Sequence, residues 1–136
     1  MNGNPFFRQD RSSKRSTAVV ALLSVLTVPF LATVPAAAQQ AEGERLFRQR
    51  CGACHSIDPG QNKSGPHLLQ VIGRPAGSIE GARYSGAMRA SGIIWNGETL
   101  NTFLNQPRQM VPGTTMTVGV PDAAQRAAII DYLESL

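Results

Sequence analysis

Two cysteines and a histidine stand together at Cys51, Cys54 and His55. The pattern C-x-x-C-H is typical of c-type haem attachment, in which both thiols form thioether bonds to the porphyrin and the adjacent imidazole binds the iron. The alternatives are a thioredoxin-like dithiol, a structural disulfide and half of a zinc site. A zinc site needs a second cysteine or histidine pair, which the sequence lacks, and a redox dithiol needs a βαβ setting that the neighbouring residues do not offer. The motif therefore predicts one covalently bound haem c.

Residues 1–38 have the pattern of a signal peptide. A basic region precedes an uncharged apolar run over residues 17–34, and the small residues after it predict cleavage before Gln39. No charged residue follows the basic region until Glu42, and the run approaches membrane-spanning length, so an uncleaved anchor is the alternative. We expect an exported protein whose functional domain is residues 39–136. The basic residues are Arg8, Arg11, Lys14 and Arg15.

The basicity of the chain is concentrated in this leader. Four of the 13 Lys and Arg residues and one of the nine Asp and Glu residues lie in residues 1–38. Residues 39–136 therefore carry nine basic and eight acidic residues, which gives a net charge of +1. The nine cations are scattered, whereas a nucleic-acid-binding face needs them clustered. A nucleic-acid partner is therefore not expected, despite a sequence pI of about 9.7.

Periodicity and capping residues predict a mainly α domain with long loops. Asn96 precedes one helical segment as its N-cap, and Asp122 precedes the last one with Gln125 as its capping-box partner. Five aromatic residues make a thin core in residues 39–136, so a planar apolar cofactor would supply missing buried surface. Helices are expected over residues 41–53, 85–90 and 97–104 and after Asp122, and loops over 55–84 and 106–121.

Further motifs follow the haem motif along the chain. They are, in order, Gly65-Pro66-His67-Leu68, Gly73-Arg74, Tyr84, Gly92-Ile93-Ile94-Trp95 and Pro112-Gly113-Thr114-Thr115-Met116. In order and spacing these motifs resemble class I cytochromes c, the group of mitochondrial cytochrome c and bacterial cytochrome c2. The resemblance implies a small cytochrome c-type fold, in which the N- and C-terminal helices cross and long loops wrap one covalent haem. It places Gly43, Phe47, Ile129 and Tyr132 where those helices cross.

The resemblance implies that Met116 is the second axial iron ligand, because this residue closes the Pro-Gly-Thr-x-Met loop where the axial methionine of the family lies. Met110 is the runner-up, and Met110 and Met88 are otherwise expected to fill the core. His67 is expected to be an exposed surface imidazole rather than an iron ligand. A thioether is a soft ligand that favours ferrous iron, so a histidine–methionine pair suits electron transfer with little reorganisation.

The resemblance also implies roles around the haem. The carbonyl oxygen of Pro66 is expected to accept a hydrogen bond from the proximal imidazole, which fixes the orientation of the ring. Arg74, Tyr84 and Trp95 match positions that hydrogen-bond or neutralise the haem propionates, and Thr114 resembles a hydroxyl near a propionate. These residues complete the predicted haem site.

The function implied by this resemblance is that of an exported, periplasmic, single-haem carrier of one electron, and not of an enzyme. Its partners would be a quinol-oxidising membrane complex and an oxidase, peroxidase or photosynthetic reaction centre. We expect a monomer that meets the membrane only transiently, or through an uncleaved leader. Where family members that dock on respiratory complexes often carry lysines, this chain has residues that include Arg50 and Arg108, and we expect these two on the docking face.

Two functions of other classes stay open at this point. In a pentacoordinate haem protein with a peroxidase or gas-binding role, the methionine loop would be displaced and the ferrous protein would bind CO readily. A haem-free metal or thiol module would be colourless and would have two titratable thiols.

Intact-mass spectrometry of the native protein tests the leader and the cofactor together. We expect the mass of residues 39–136 plus one haem, because signal peptidase removes the leader and the two cysteines serve a single porphyrin. Retention of residues 1–38 would indicate a membrane-tethered protein, and a mass without haem would contradict the interpretation of the C-x-x-C-H motif.

Overall fold

The computed structural model describes residues 35–136, and these residues form five helices. The predicted signal peptide lies outside the described residues, except for residues 35–38. In this part of the chain, strand pairing is limited to one antiparallel bridge between Pro75 and Ile94, so the prediction of a mainly α fold is confirmed. The same residues contain no helix long and apolar enough to cross a membrane. The helices are α1 (Ala36–Arg50), α2 (Gly86–Arg89), α3 (Gly97–Asn105), α4 (Pro107–Met110) and α5 (Ala123–Glu134).

The first and last helices approach each other closely at a glycine. A Cβ atom on Gly43 of α1 would lie 2.2 Å from the carbonyl oxygen of Ala128 and 2.7 Å from Cβ of Tyr132, both on α5. Beside this contact the rings of Phe47 and Tyr132 pack with centroids 5.7 Å apart, and Ile129 has no exposed surface. The predicted contact between the terminal helices is therefore observed, and any side chain at Gly43 would push them apart.

Side-chain caps set the starts of α3 and α5. The Asn96 side chain accepts a hydrogen bond from the backbone N–H of Thr99, and the Thr99 hydroxyl accepts one from the N–H of Asn96, which forms a complete capping box. Asp122 caps α5 by accepting from the N–H of Gln125 at 2.9 Å. The side-chain oxygen of Gln125 accepts a hydrogen bond from Arg50 instead of closing the predicted capping box. This bond links the end of α1 to the start of α5.

Helix α1 begins and ends earlier than the predicted span of 41–53. The alanines and glutamines before Ala41 also favour a helix, so α1 extends back to Ala36. It ends at Arg50 because the chain turns there: the N–H groups of Cys51 and Gly52 both donate to the same carbonyl, that of Phe47. The haem motif therefore lies in a turn that follows α1 rather than in its last turn.

Helix α4 lies within residues 106–121, which the sequence predicted as a loop without a helix. Its first residue is Pro107, where the missing N–H has no cost because the first N–H groups of a helix have no intrahelical partner. The short helices α2 and α4 hold the long loops against the core at two points. Met88 on α2 and Pro107 on α4 are both buried.

The long segment between α1 and α2 is ordered by its own backbone hydrogen bonds. The N–H of Gly65 donates to the carbonyl of Cys54 at 2.8 Å, and that of Leu68 donates to Ser56 at 2.7 Å. Farther along, the N–H of Gly73 donates to the carbonyl of Trp95 at 2.7 Å. These bonds fold the segment back on both the haem motif and the chain before α3, and so enclose space between them.

We expect the substitution Gly43→Ala to lower the free energy of unfolding by about 2 kcal/mol or more, because its methyl group would overlap backbone and Cβ atoms of α5. Denaturant unfolding of the haem-loaded protein measures this. Gly86→Ala is a matched control, because a Cβ there meets nothing within 4 Å, and its effect should stay within about 0.5 kcal/mol. Equal effects of the two substitutions would contradict the close approach of α1 and α5.

Candidate haem site

A cavity of about 310 Å³ lies between the helices and the long loops. Most of its walls are apolar, and they include no Asp or Glu residue. The cavity is lined by every residue for which the sequence predicted a role in haem binding. These residues are Cys51, Cys54, His55, Pro66, Arg74, Tyr84, Trp95, Thr114 and Met116.

The imidazole of His55 is oriented by a single hydrogen bond. Its Nδ1 lies 2.8 Å from the carbonyl oxygen of Pro66. A carbonyl oxygen can only accept, so Nδ1 carries the proton and Nε2 keeps its lone pair for another partner. Burial lowers the pKa of His55, with a smaller opposing contribution from the hydrogen bond to Pro66, so the ring is neutral at pH 7. A neutral imidazole with Nε2 available is the form that binds a metal.

Gly65 brings the backbone directly against this imidazole ring. A Cβ atom at Gly65 would lie 2.4 Å from Cε1 of His55 and 2.8 Å from its Nδ1. Only a residue without a side chain therefore allows the chain to pass the ring and present the Pro66 carbonyl to it. The sequence predicted no separate role for Gly65.

The two cysteines differ in their surroundings. Cys51 is buried, which raises the pKa of its thiol to about 11, whereas Cys54 is exposed, and the structure shows no disulfide between them. The N–H groups of Cys54 and His55 both donate to the carbonyl of Cys51, at 3.0 and 2.9 Å. This turn brings both thiols and the imidazole to one cavity.

The polar side chains of Arg74 and Trp95 lie on the cavity wall. Arg74 donates from Nη1 to the carbonyl of Leu69 at 3.0 Å and from Nη2 to that of His67 at 2.8 Å, and partial burial lowers its pKa. Trp95 is 8% exposed and packs on Phe103 with ring centroids 5.1 Å apart. Its indole and the guanidinium of Arg74 are thus held in place by the protein itself.

The four candidate side chains for the second iron ligand differ in whether they line the cavity. Met116 and Met88 line the cavity, whereas Met110 and His67 do not. Met88 is also a member of the buried core, as predicted, and Met110 packs against that core. The expectation that His67 is an exposed imidazole is wrong, because the side chain is half-buried and its Nδ1 is enclosed without a hydrogen-bond partner in the described structure. The hydrogen bonds of its backbone to Asn62 and Arg74 hold the residue in the loop.

Several wall residues were not predicted from the sequence. The apolar side chains of α3 that line the cavity are Leu100, Phe103 and Leu104. Their spacing of three and four residues marks an apolar helix face but does not distinguish a core-facing wall from a cofactor-facing one. Val71, which is 1% exposed, lies in a loop where no periodicity identifies it. Arg50 also lines the cavity, but Arg108, its predicted partner on a docking face, does not.

These residues fit a covalently attached haem c. Two thiols, a neutral imidazole with a free nitrogen and a thioether reach one cavity, and its other walls are largely apolar. The cavity wall carries three arginines, Arg50, Arg74 and Arg83, which is more than enough positive charge to balance two propionates. Propionates need cations or hydrogen-bond donors when they are enclosed.

Comparison with known proteins also shows that the chain is similar to cytochrome c. The family model for cytochrome c matches residues 40–136. Cytochrome c2 of Rhodopila globiformis is 45% identical over 96 residues, which cover 70% of this chain and 91% of that protein. Cytochrome c2 of Blastochloris viridis is 45% identical over 103 residues, covering 74% of this chain and 80% of the relative.

A longer relative and a solved structure extend the comparison. The cytochrome c-type cyt cy of Rhodobacter capsulatus is 48% identical over 95 residues, which cover 69% of this chain but only 47% of that protein. This chain therefore matches about half the length of that relative. The structure of cytochrome cH from Methylobacterium extorquens superposes with a TM-score of 0.66 at 36% identity and covers 71% of this chain and 98% of its own.

We expect Gly65→Ala to raise the reduction potential. The added methyl group would displace the His55 ring and weaken its bond to Pro66, and an imidazole that donates less electron density stabilises ferric iron less. A tenfold change in relative affinity for the two iron states corresponds to about 59 mV for one electron, which sets the scale of the shift. Voltammetry of the haem-loaded protein measures it.

Ser64→Ala is the matched control for this substitution. Ser64 is the exposed neighbour of Gly65 and also lines the cavity, but its change adds no atom near the imidazole. Its potential should equal that of the wild type. An unchanged reduction potential in Gly65→Ala would show that the close contact between Gly65 and the His55 ring does not affect the reduction potential of the iron.

Proposed function

The chain belongs to the cytochrome c family, and we propose that it is an exported one-electron carrier whose iron is held between His55 and Met116. The family membership rests on a match over residues 40–136. The observation that most strongly supports the proposed iron site is that His55, whose Nδ1 is bonded to the Pro66 carbonyl, and Met116 line the same cavity.

Family membership confirms the coarser part of the sequence interpretation. The cofactor is a covalently bound haem c, the fold is that of a small cytochrome c, and the role is electron transfer rather than catalysis. When bound, this group supplies an iron that changes between the ferrous and ferric states by one electron. The residues of the chain would attach this group, bind its iron and limit the reorganisation that accompanies the change of charge.

We assign attachment to Cys51 and Cys54 and the proximal ligand to His55. The turn after α1 supports this assignment, because its backbone hydrogen bonds place Cys51, Cys54 and His55 on the wall of one cavity. Pro66 acts by accepting the Nδ1 proton, so that Nε2 is the nitrogen that binds and the ring keeps one orientation.

We assign the distal ligand to Met116. It is half-buried in the loop between α4 and α5, and its N–H donates to the Thr114 hydroxyl at 3.3 Å. A thioether exchanges no proton near neutral pH and binds soft ferrous iron well, so His55 and Met116 would hold the iron in either oxidation state. This limits the structural change that accompanies electron transfer.

The propionates are assigned to the polar groups of the cavity wall. Arg74 is fixed by two backbone carbonyls and contributes a cation, while Tyr84 and Trp95 contribute an O–H and an N–H. The buried hydroxyl of Thr114 is a further donor. These four side chains come from separate parts of the sequence, which is consistent with a group held at several points.

We further propose that the protein works in the periplasm as a monomer and exchanges electrons with redox partner proteins. The pattern of residues 1–38 and the likeness to bacterial cytochromes c2 support this location. A quinol-oxidising complex would supply electrons, and an oxidase, peroxidase or photosynthetic reaction centre would receive them. Arg50 supports a docking face beside the cavity, since it is exposed and lines the cavity, whereas Arg108 is exposed on α4 and does not line it.

The ligand assignment is tested by comparing Met116→Ala with Met110→Ala. We expect Met116→Ala to lose the weak near-infrared band that ferric iron shows with a methionine ligand, and to bind CO readily in the ferrous form. Met110→Ala should keep the band and bind CO poorly, because Met110 does not line the cavity. Met88 does line the cavity, so Met88→Leu tests whether this second methionine binds the iron, and we expect that variant to keep the band as well. The opposite pattern would overturn the assignment, and ready CO binding by the wild type would favour a pentacoordinate protein.

A further inference from the structure

Arg126 on α5 is the only charged side chain that is buried among residues 35–136, with 8% of its surface exposed. Ion pairs in this part of the chain involve Arg45 and Arg48 but not Arg126, so its charge is buried without a carboxylate. Burial of a cation is costly unless its N–H groups are hydrogen-bonded. The groups that accept hydrogen bonds from the Arg126 guanidinium therefore identify the segments that this side chain holds in place.

The guanidinium of Arg126 joins three segments of the chain. Its Nε donates to the side-chain oxygen of Asn101 at 2.9 Å, and Nη1 lies 3.2 Å from that of Asn105, both on α3. The same Nη1 lies 2.8 Å from the carbonyl oxygen of Val120 and 2.7 Å from that of Pro121. Val120 and Pro121 end the loop that carries Met116, so one side chain of α5 fixes both α3 and the end of this loop.

Other contacts hold the end of the loop at the same place. The N–H of Val120 donates to the carbonyl of Leu104 at 2.6 Å, and Val120 is 3% exposed and lines the cavity. A Cβ atom at Gly119 would lie 3.0 Å from the carbonyl oxygen of Asn105 and 3.1 Å from that of Leu104, so the loop runs directly against α3. The loop is thus closed at Val120 and Pro121 by contacts with α3 and α5.

Between its two ends the loop has little support of its own. Within the described structure, residues 115–119 make one hydrogen bond, from the N–H of Met116 to the Thr114 hydroxyl. At the other end the N–H of Thr114 donates to the carbonyl of Val111 at 3.0 Å. A segment with so few internal bonds keeps its position mainly through its ends.

We propose that Arg126 is a positioning residue that holds the Met116 loop closed over the cavity. This rests on the proposed role of Met116 as an iron ligand. A thioether is a weak ligand, so its binding depends on a loop that presents it at low entropic cost. Arg126 lowers that cost by joining the loop end to both helices, and its charge strengthens each hydrogen bond. Without Arg126, the carbonyls of Val120 and Pro121 lose their buried hydrogen-bond donor. The closed conformation of the loop is then less stable relative to open conformations.

The test measures how readily imidazole displaces Met116 in the haem-loaded ferric protein. In Arg126→Leu we expect the near-infrared band of methionine-bound iron to weaken. The affinity for imidazole should rise by about tenfold or more, because several hydrogen bonds to a charged group are lost. Arg126→Lys keeps the charge, but a single ammonium cannot reach all the acceptors, so it should bind imidazole with intermediate affinity.

Ile130→Ala separates this role from ordinary stabilisation of the fold. Ile130 lies on the same helix, is 7% exposed, packs near Gly97 of α3 and does not line the cavity. The control substitution should lower the denaturant midpoint while leaving imidazole affinity and the near-infrared band unchanged.

The outcomes distinguish the two proposals. If both Arg126 variants bind imidazole like the Ile130→Ala control, the positioning role is overturned and Arg126 only stabilises the packing of α3 and α5. If Arg126→Leu does not fold, the intermediate or wild-type affinity of Arg126→Lys decides between the two. If the wild type itself lacks the methionine band, the assignment of Met116 fails and the role of Arg126 fails with it.

Discussion

The hydrogen bond from Nδ1 of His55 to the carbonyl oxygen of Pro66 is the constraint on which the rest of the site depends. An iron-binding imidazole must be neutral, must carry its proton on the other nitrogen and must keep one orientation. The Pro66 carbonyl meets the last two requirements, and burial of the ring meets the first by lowering its pKa. The bond is possible only because Gly65 leaves room for the chain to pass the ring.

The two proposed ligands are held by different kinds of structure. His55 and Pro66 are 11 residues apart, and the backbone bond between Cys54 and Gly65 closes the segment that joins them. Met116 has no such local partner beyond Thr114, so its position depends on contacts of its loop with α3 and α5. The proximal side is therefore formed by a local loop, whereas the distal side depends on how distant helices pack. This difference makes the distal side the more easily perturbed of the two.

Much of the fold was predictable from local signals. Asn96 and Asp122 were recognisable as caps because a side-chain oxygen before an apolar helix satisfies a free N–H. The bounds of the helices were less predictable. Helix α1 extends back to Ala36, because helix propensity alone does not say where a run of alanines begins to be helical. Helix α4 was not predicted, because Pro107 both ends α3 and starts the next turn. The Gln125 side chain bonds to Arg50, since a residue 75 positions away offered a competing partner that no local pattern reveals.

The sequence by itself determined the chemistry of the site: the C-x-x-C-H motif, the Gly-Pro pair and the Pro-Gly-Thr-x-Met loop are short patterns whose meaning depends on adjacent residues. It also indicated the contact at Gly43, through a resemblance that covers both terminal helices. Only the tertiary structure decided that Met116 and Met88 reach the cavity while Met110 does not, that His67 is half-buried, and that Arg126 is a buried cation joining three segments. The physical reason is that burial and hydrogen-bond partners depend on residues far away in the chain, and residue type and spacing do not specify them.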